Sequence, residues 1–314
     1  MTELDLDELR RRLAAAGVAG LAPLAGGASS LTFSGERDGR AVVIKVAPPG
    51  VAPVAHRDVL RQARVMKVLA ESQVPVPEVL WEDVGAPPLF VMSRVEGDCV
   101  EPLFDGCPPA ADLAGRYRNA CRVMAALHRL SPADLGLAGE PAMEPAAEVR
   151  RWSETLQTVD AALVPGWPDV RDALLACAPV ALGPSVVHGD FRLGNLLADG
   201  DRINAVIDWE IWAIGDPRID VGWFLINSDP DTYQRVRSPG IAPPTGELAD
   251  IYQREFGCQV ADLGWFSALA CFKSAATWAL IVKHNRRRRS PRTELEAMAA
   301  ALPRLLERAR SLLD

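Results

Sequence analysis

The sequence predicts an α+β protein with a small strand-rich N-terminal lobe and a larger, mainly helical C-terminal lobe. Three observations carry this reading. Four short strand-like runs parted by turn residues lie within 31–93, around one helical pattern. After Glu96-Gly97, apolar residues recur mostly at helical spacing. One interval, 186–208, returns to short apolar runs between turns. The boundary falls at 95/96, giving lobes of 1–95 and 96–314, and a ligand site is expected in the cleft between lobes.

Taken in order, Leu6, Leu9 and Leu13 mark one side of a helix over 5–17. A glycine and serine turn, Leu24 to Ser30, leads to Leu31-Thr32-Phe33 and then to Ala41–Val46. With Arg37-Asp38-Gly39-Arg40 between them, these two runs form an antiparallel hairpin. A helix over 56–70 is ended by Val74-Pro75-Val76-Pro77. Strands follow at Val79–Glu82 and Leu89–Ser93, parted by Gly85-Ala86-Pro87-Pro88. Helices are predicted over 110–130, 145–160, 168–177, 246–256, 262–284 and 293–312.

Composition narrows the function classes. Apolar residues make up 49% and charged residues 24%, which is globular and not disordered. The acidic start lacks the basic and apolar parts of a secretory leader, so a cytoplasmic location is expected. Apolar runs such as Trp278 to Val282 fall short of the ~20 residues that span a bilayer, and no membrane partner is expected. The six cysteines form no CxxC pair and the four histidines are scattered, so neither a disulfide framework nor a zinc site is indicated. A net charge of −7 argues against a nucleic-acid partner.

The strongest chemical signal runs from Val187 to Leu197 and on to Glu210. It contains His188-Gly189-Asp190 and then Asn195, and after the turn Ala198-Asp199-Gly200-Asp201 it reaches Asp208. Folding at that turn brings Asn195 near Asp208. One carboxylate to take the proton of an attacking hydroxyl, with a carboxylate and a carboxamide for Mg²⁺, is the set that phosphoryl transfer from ATP needs. Turn capping would account for Asp190 or Asp208 singly, but not for the group.

In Ala41–Val46, alternation puts Val42, Ile44 and Val46 on one face and Lys45 on the other. Such a lysine either snorkels to water or reaches an anion. The preceding loop, including Gly27, Ser29 and Ser30, offers backbone N–H groups and hydroxyls to phosphate oxygens.

These residues resemble the aminoglycoside phosphotransferase family of kinase-like small-molecule kinases. The resemblance rests on His188-Gly189-Asp190-Phe191-Arg192-Leu193-Gly194-Asn195, on Ile207-Asp208-Trp209-Glu210 and on Ile214-Gly215-Asp216-Pro217-Arg218-Ile219-Asp220. Within the family the chain is similar to the branch fused in animals to acyl-CoA dehydrogenase-like domains, whose kinase domains act on hydroxylated acyl groups. The resemblance implies a bilobal protein-kinase-like fold. Asp190 takes the base position and Asn195 and Asp208 bind the metal. Lys45 pairs with phosphates, and adenine lies along Met92, Ser93 and Val95. Asp216 and Asp220 hold the catalytic loop, with His188 structural. A glutamate usually partners the strand lysine; here Gln62 stands at that place, on the stripe of Val59, Met66 and Leu69.

The acceptor is read from charge. Seven lysines and arginines lie between 273 and 292, with no acidic residue from 263 to 293. Arg286, Arg287, Arg288 and Arg289 follow an apolar helix, which points to an anionic, hydroxyacyl-type small molecule; a solvated basic loop is the plainer alternative. Trp212 and Trp223 are read as acceptor lining or as core. Two other functions stay open at this point, an aminoglycoside O-phosphotransferase and a non-catalytic nucleotide-binding module. Oligomeric state is not legible.

Overall fold

Asp5 caps the first helix, α1 (Leu6–Ala15), by accepting from the backbone N–H groups of Asp7 and Glu8. Leu9 and Leu13 are buried among Val18, Phe33, Val42, Ile44 and Val46. In this computed structural model, residues 4–24, 30–52, 54–100, 113–233 and 242–313 are described. The chain divides into two units, one of residues 1–99 with 195–212 and the other of 100–194 with 213–314.

The first unit is built on an antiparallel sheet of β1 (Val18–Pro23), β2 (Leu31–Arg37), β3 (Arg40–Val46), β4 (Val79–Asp83) and β5 (Leu89–Ser93). The order across it is β1-β2-β3-β5-β4. Asp38 and Gly39, at φ 52° and 74°, make the left-handed two-residue turn between β2 and β3. Strand β1 was not expected, because Val-Ala-Gly-Leu-Ala-Pro has one β-branched residue; it is an edge strand with an irregular register. Between β3 and β4 comes α2 (Val59–Leu69), capped by Asp58 and packed on β4 and β5.

The same unit includes a hairpin of Leu196–Asp199 and Arg202–Val206. It is tied on by Asp98, which exchanges two backbone hydrogen bonds with Ala198 at 2.9 and 3.1 Å. Val206 adds a bond to the Pro75 carbonyl. Gly97, at φ 139°, permits this approach, since a Cβ there would sit 2.8 Å from the Ala198 nitrogen. The boundary expected at 95/96 with an unbroken second lobe thus differs from the structure: 195–212 packs with the first unit because these bonds hold it there.

The second unit is helical: α3 (Leu113–His128), α4 (Pro145–Gln157), α5 (Trp167–Ala176), α6 (Arg218–Ser228), the short α7 (Pro230–Tyr233), α8 (Thr245–Phe256), α9 (Leu263–Arg286), the short α10 (Thr293–Glu296) and α11 (Leu302–Ser311). A small sheet pairs Ala213–Gly215 with Ala142–Met143 and Ser185–Val187. Helix α9 lies at the centre, with Phe266, Phe272, Ala275, Ala279 and Val282 among its buried residues. It is long and apolar enough to cross a membrane, yet most of it is buried by the helices around it. The sequence pattern had not marked α6 as a helix. Nearly all its residues are buried, so no polar face reveals the helical period.

Helices α6 and α9 cross at Gly222, where a Cβ would fall 2.4 Å from the Phe266 carbonyl oxygen. Gly222→Ala would gain helix propensity of up to ~1 kcal/mol. The backbone of a buried helix cannot give way, and overpacking of this kind costs roughly 1–3 kcal/mol or more. The expected net result is a destabilised protein, read as a lower urea midpoint; an unchanged or raised midpoint would contradict the crossing described.

Candidate active site

In the first unit the hairpin register brings the acceptor residues together. Leu196 pairs with Val206, and the Ile207 N–H donates to the Asn195 carbonyl at 2.9 Å, so Asn195 and Asp208 flank the open end of the hairpin. Asn195 is buried. Asp208 has φ 64° and ψ 55°, a left-handed backbone rare for a residue other than glycine and a sign of a constrained site. Lys45 Nζ donates to Asp208 Oδ1 at 2.8 Å, from a side chain only 11% exposed. It reaches this carboxylate from the sheet face opposite α1, with Phe90 as its cross-strand partner in β5.

Gln62 stands where a partner of Lys45 is usual, and its side-chain oxygen could accept from that lysine. The lysine is bonded to Asp208 instead, and the buried Gln62 leaves its Nε2 without a hydrogen-bond partner. Ser30, next to β2, is likewise buried with an unpartnered hydroxyl. Orphaned buried donors are uncommon in folded proteins. The first unit has three among the described residues, Arg12 Nη2 on α1 together with Ser30 Oγ and Gln62 Nε2, and the last two, with the Lys45 ammonium, are donors of the kind that suit the phosphate oxygens of ATP. Gly27 and Ser29 lie outside the described residues. Met92 is buried at the end of β5, while the Ser93 hydroxyl accepts from the Glu78 N–H. Arg94 still bonds to Ala41, and Val95 follows, half-buried, beyond the strand.

For the metal, the donor set is one carboxylate and one carboxamide. No cluster of three or more histidine, cysteine, aspartate or glutamate side chains able to hold a metal occurs among the described residues. That composition fits Mg²⁺, which takes few protein oxygens and completes its shell with phosphate and water.

The second unit holds Asp190. Its turn passes through Gly189 at φ 83°, and the Asp190 N–H donates to His188 Nδ1 at 3.1 Å. His188 is fully buried and packs edge-on to Phe191, a structural role. The turn is held from α6 by Asp220, which accepts from the backbone N–H groups of His188 at 2.6 Å and Gly189 at 2.8 Å. His128 Nε2 lies 3.2 Å from the same carboxylate, and Tyr252 closes the chain at His128 Nδ1. Burial alone would raise the Asp220 pKa, but the His128 hydrogen bond and the neighbouring imidazoles outweigh it and hold the carboxyl low. Asp216 acts elsewhere: it accepts from the Leu182 N–H and pairs with the buried Arg218, fixing the segment before Ser185–Val187.

The sequence assigns Arg192 no role of its own and Trp223 only the choice between acceptor lining and core, yet these two grip Asp190 itself. Arg192 Nε donates to both carboxylate oxygens at 3.1 and 3.2 Å, and Trp223 Nε1 donates to Oδ1 at 2.8 Å. Trp223 is therefore core and partner at once. Trp212 is not acceptor lining. It is buried in the first unit, where its indole donates to the Arg61 carbonyl and stacks under the Arg61 guanidinium at 3.9 Å. Arg286, Arg287, Arg288 and Arg289 are exposed at the end of α9, and Arg286 is engaged by Glu296.

Comparison with known proteins finds relatives over most of the chain. A model of the phosphotransferase enzyme family matches residues 20–269. Human acyl-CoA dehydrogenase family member 11 is 29% identical over 268 residues, which is 79% of this chain and 34% of that protein. The chain thus spans about a third of that curated relative's length. Among solved structures, a Ralstonia eutropha protein assigned as an aminoglycoside phosphotransferase superposes with a TM-score of 0.79 at 21% identity, covering 99% of this chain and 98% of the other. A ternary complex of the phosphotransferase APH(4)-Ia with ADP and hygromycin B gives 0.65 at 21% identity, covering 97% and 98%. At these identities the structures show a shared kinase-like fold.

A depressed carboxylate pKa contributes stability above its unfolded value, near 4, and that stability is lost as pH falls through the folded value. Asp220→Asn should therefore destabilise the protein at neutral pH by about 1.5–3 kcal/mol or more, the worth of a hydrogen bond to a charged group. The gap from wild type should shrink below about pH 4. Urea titrations at both pH values check this, and an equal gap at both would contradict the ionised role.

Proposed function

The chain belongs to the phosphotransferase enzyme family and is a small-molecule kinase, and from that premise we propose that it moves the γ-phosphoryl of Mg-ATP to a hydroxyl of an anionic, hydroxyacyl-type acceptor with Asp190 as base. The observation that carries the chemistry is the Lys45–Asp208 contact at one end of a hairpin that also presents Asn195. A cation and two oxygen donors address one phosphate chain there. When bound, Mg²⁺ on Asn195 and Asp208 neutralises phosphate charge.

Ser30 and Gln62 gain the partners they lack by donating to phosphate oxygens. In the transfer step the acceptor oxygen forms a bond to the γ-phosphorus and its proton passes to the Asp190 carboxylate. The bond from the γ-phosphorus to the bridging oxygen breaks, and its electron pair leaves with ADP. Arg192 and Trp223 keep the base in one orientation, so no rotamer search precedes the step.

Charge supports an anionic acceptor. In the second unit Arg192 pairs with Asp190 and the partly exposed Arg151 with Glu148, so these pairs balance, and the attraction for an anion rests on the arginines after the apolar helix. The arginines at the end of α9 lie roughly 20 Å along the helix from Lys273, at 1.5 Å per residue. An extended acceptor with a distal phosphate suits that reach, and the relation to acyl-CoA dehydrogenase family proteins points to the same class.

Asp190→Asn should lower turnover by roughly 10²–10⁴-fold with ATP affinity nearly intact. Retention of half the wild-type rate, with chemistry limiting, would remove Asp190 as the base. A screen of ATP consumption against hydroxyacyl-CoAs, hydroxy acids and aminoglycosides tests the acceptor, and efficient use of an aminoglycoside would overturn the charge argument. Replacing Arg286 to Arg289 with serine should raise the acceptor KM more at low salt than at high salt and leave the ATP KM unchanged. Equal acceptor KM values at low salt would take these arginines out of the site.

A further inference from the structure

Lys273, in the middle of α9, is 5% exposed, a rare state for a lysine. No carboxylate lies within ion-pairing distance of it among the described residues. Its Nζ instead donates to the Gly189 carbonyl oxygen and sits over two indole faces, 4.1 Å from the centre of Trp223 and 5.6 Å from that of Trp152. Burial drives its pKa down, opposed by the charges of Asp190, Glu148 and Asp220. Burying an ammonium among neutral partners is costly, and a methionine would fill the space without that penalty. The lysine's place is explained by what its partners touch. Gly189 carries the turn into Asp190, and Trp223 gives its indole N–H to Asp190 Oδ1.

We propose that Lys273 is a positioning residue for Asp190, acting through the Gly189 carbonyl and the Trp223 indole; this rests on the reading of Asp190 as the base. The ammonium holds the carbonyl of the left-handed Gly189, so the turn cannot rotate that peptide away. Its charge on the indole face draws electron density from the ring and strengthens the N–H donated to the carboxylate. Trp152 is held in turn by Glu148, which accepts its indole N–H at 3.0 Å and so fixes the second wall around the lysine. The charged groups that act on it are Glu148 and Arg151 on α4, Asp220 on α6 and, on the loop, Asp190, which Arg192 pairs.

The test is a mutant cycle on the full chain with Mg-ATP and the best acceptor from the screen. Lys273→Met and Trp223→Phe should each lower kcat by at least about tenfold while leaving both KM values within about twofold, since neither residue is proposed to touch substrate. In the Asp190→Asn background each should cost less than about twofold, because there is no longer a base to position. Melting temperature, measured in parallel, separates loss of fold from loss of positioning. Near-wild-type kcat in a folded Lys273→Met variant would overturn the proposal whatever Trp223→Phe does, and so would the same fold-loss in both backgrounds. If Lys273→Met does not fold, Lys273→Gln, which removes the charge and keeps a polar side chain, decides by the same criteria. If Asp190→Asn itself retains turnover, the base assignment fails, which is a different result from a silent Lys273.

Discussion

Asp220 has no exposure to water, and a carboxylate in that position persists only when its oxygens are filled by donors. The donors it finds are the backbone N–H groups of His188 and Gly189, with His128 behind. The requirement to satisfy one buried charge thus fixes the peptide that leads into Asp190. Everything that places Asp220 inherits the same importance. It rides on α6 three residues before Trp223, the helical spacing that puts both on one face towards the loop. Helix α6 in turn approaches α9 closely enough at Gly222 for Lys273 to reach the Gly189 carbonyl.

The first unit solves a different problem. Its donors and acceptors must be held ready for a highly charged ligand, so some remain incompletely satisfied. Asp208 keeps a left-handed backbone and accepts a hydrogen bond from the buried Lys45, while Ser30 and Gln62 each bury a polar atom without a partner among the described residues. Where Asp220 is saturated and gives rigidity, Ser30 and Gln62 each keep a buried donor without such a partner. The Asp98–Ala198 bonds and the bare backbone of Gly97 keep the hairpin that carries Asn195 and Asp208 attached to the sheet that carries Lys45.

Much of this was legible in the sequence, for identifiable reasons. Polar residues inside an apolar stretch stand out, which exposed Asp190, Asn195 and Asp208, and strand alternation placed Lys45 on its proper face. Most helices with one polar side were found close to their observed limits, but the single helix expected over 293–312 is broken into Thr293–Glu296, a 3-10 stretch and Leu302–Ser311. Helix α6 was missed because burial on all sides erases the period. Trp212 was left between acceptor lining and core, because an aromatic residue after Asp208 gives no clue to the Arg61 stack that buries it. Lys273 was counted with the basic residues further along α9. Its neighbours one turn away, Leu269, Ala270 and Ala276, are apolar, and that local pattern is the signal that separates it from Lys283. Gln62 was rightly placed on a buried stripe, but its partner depends on Asp208, far away in sequence.

The central claim is that the chain transfers phosphoryl to a hydroxyl, with both parts of the chemistry supplied by its own residues. Phosphorus NMR of the purified chain with Mg-ATP and the acceptor panel addresses it most directly. The predicted result is a phosphomonoester signal growing in step with ADP. ADP accompanied only by inorganic phosphate, or Mg-ATP bound but unchanged across the whole panel, would contradict it.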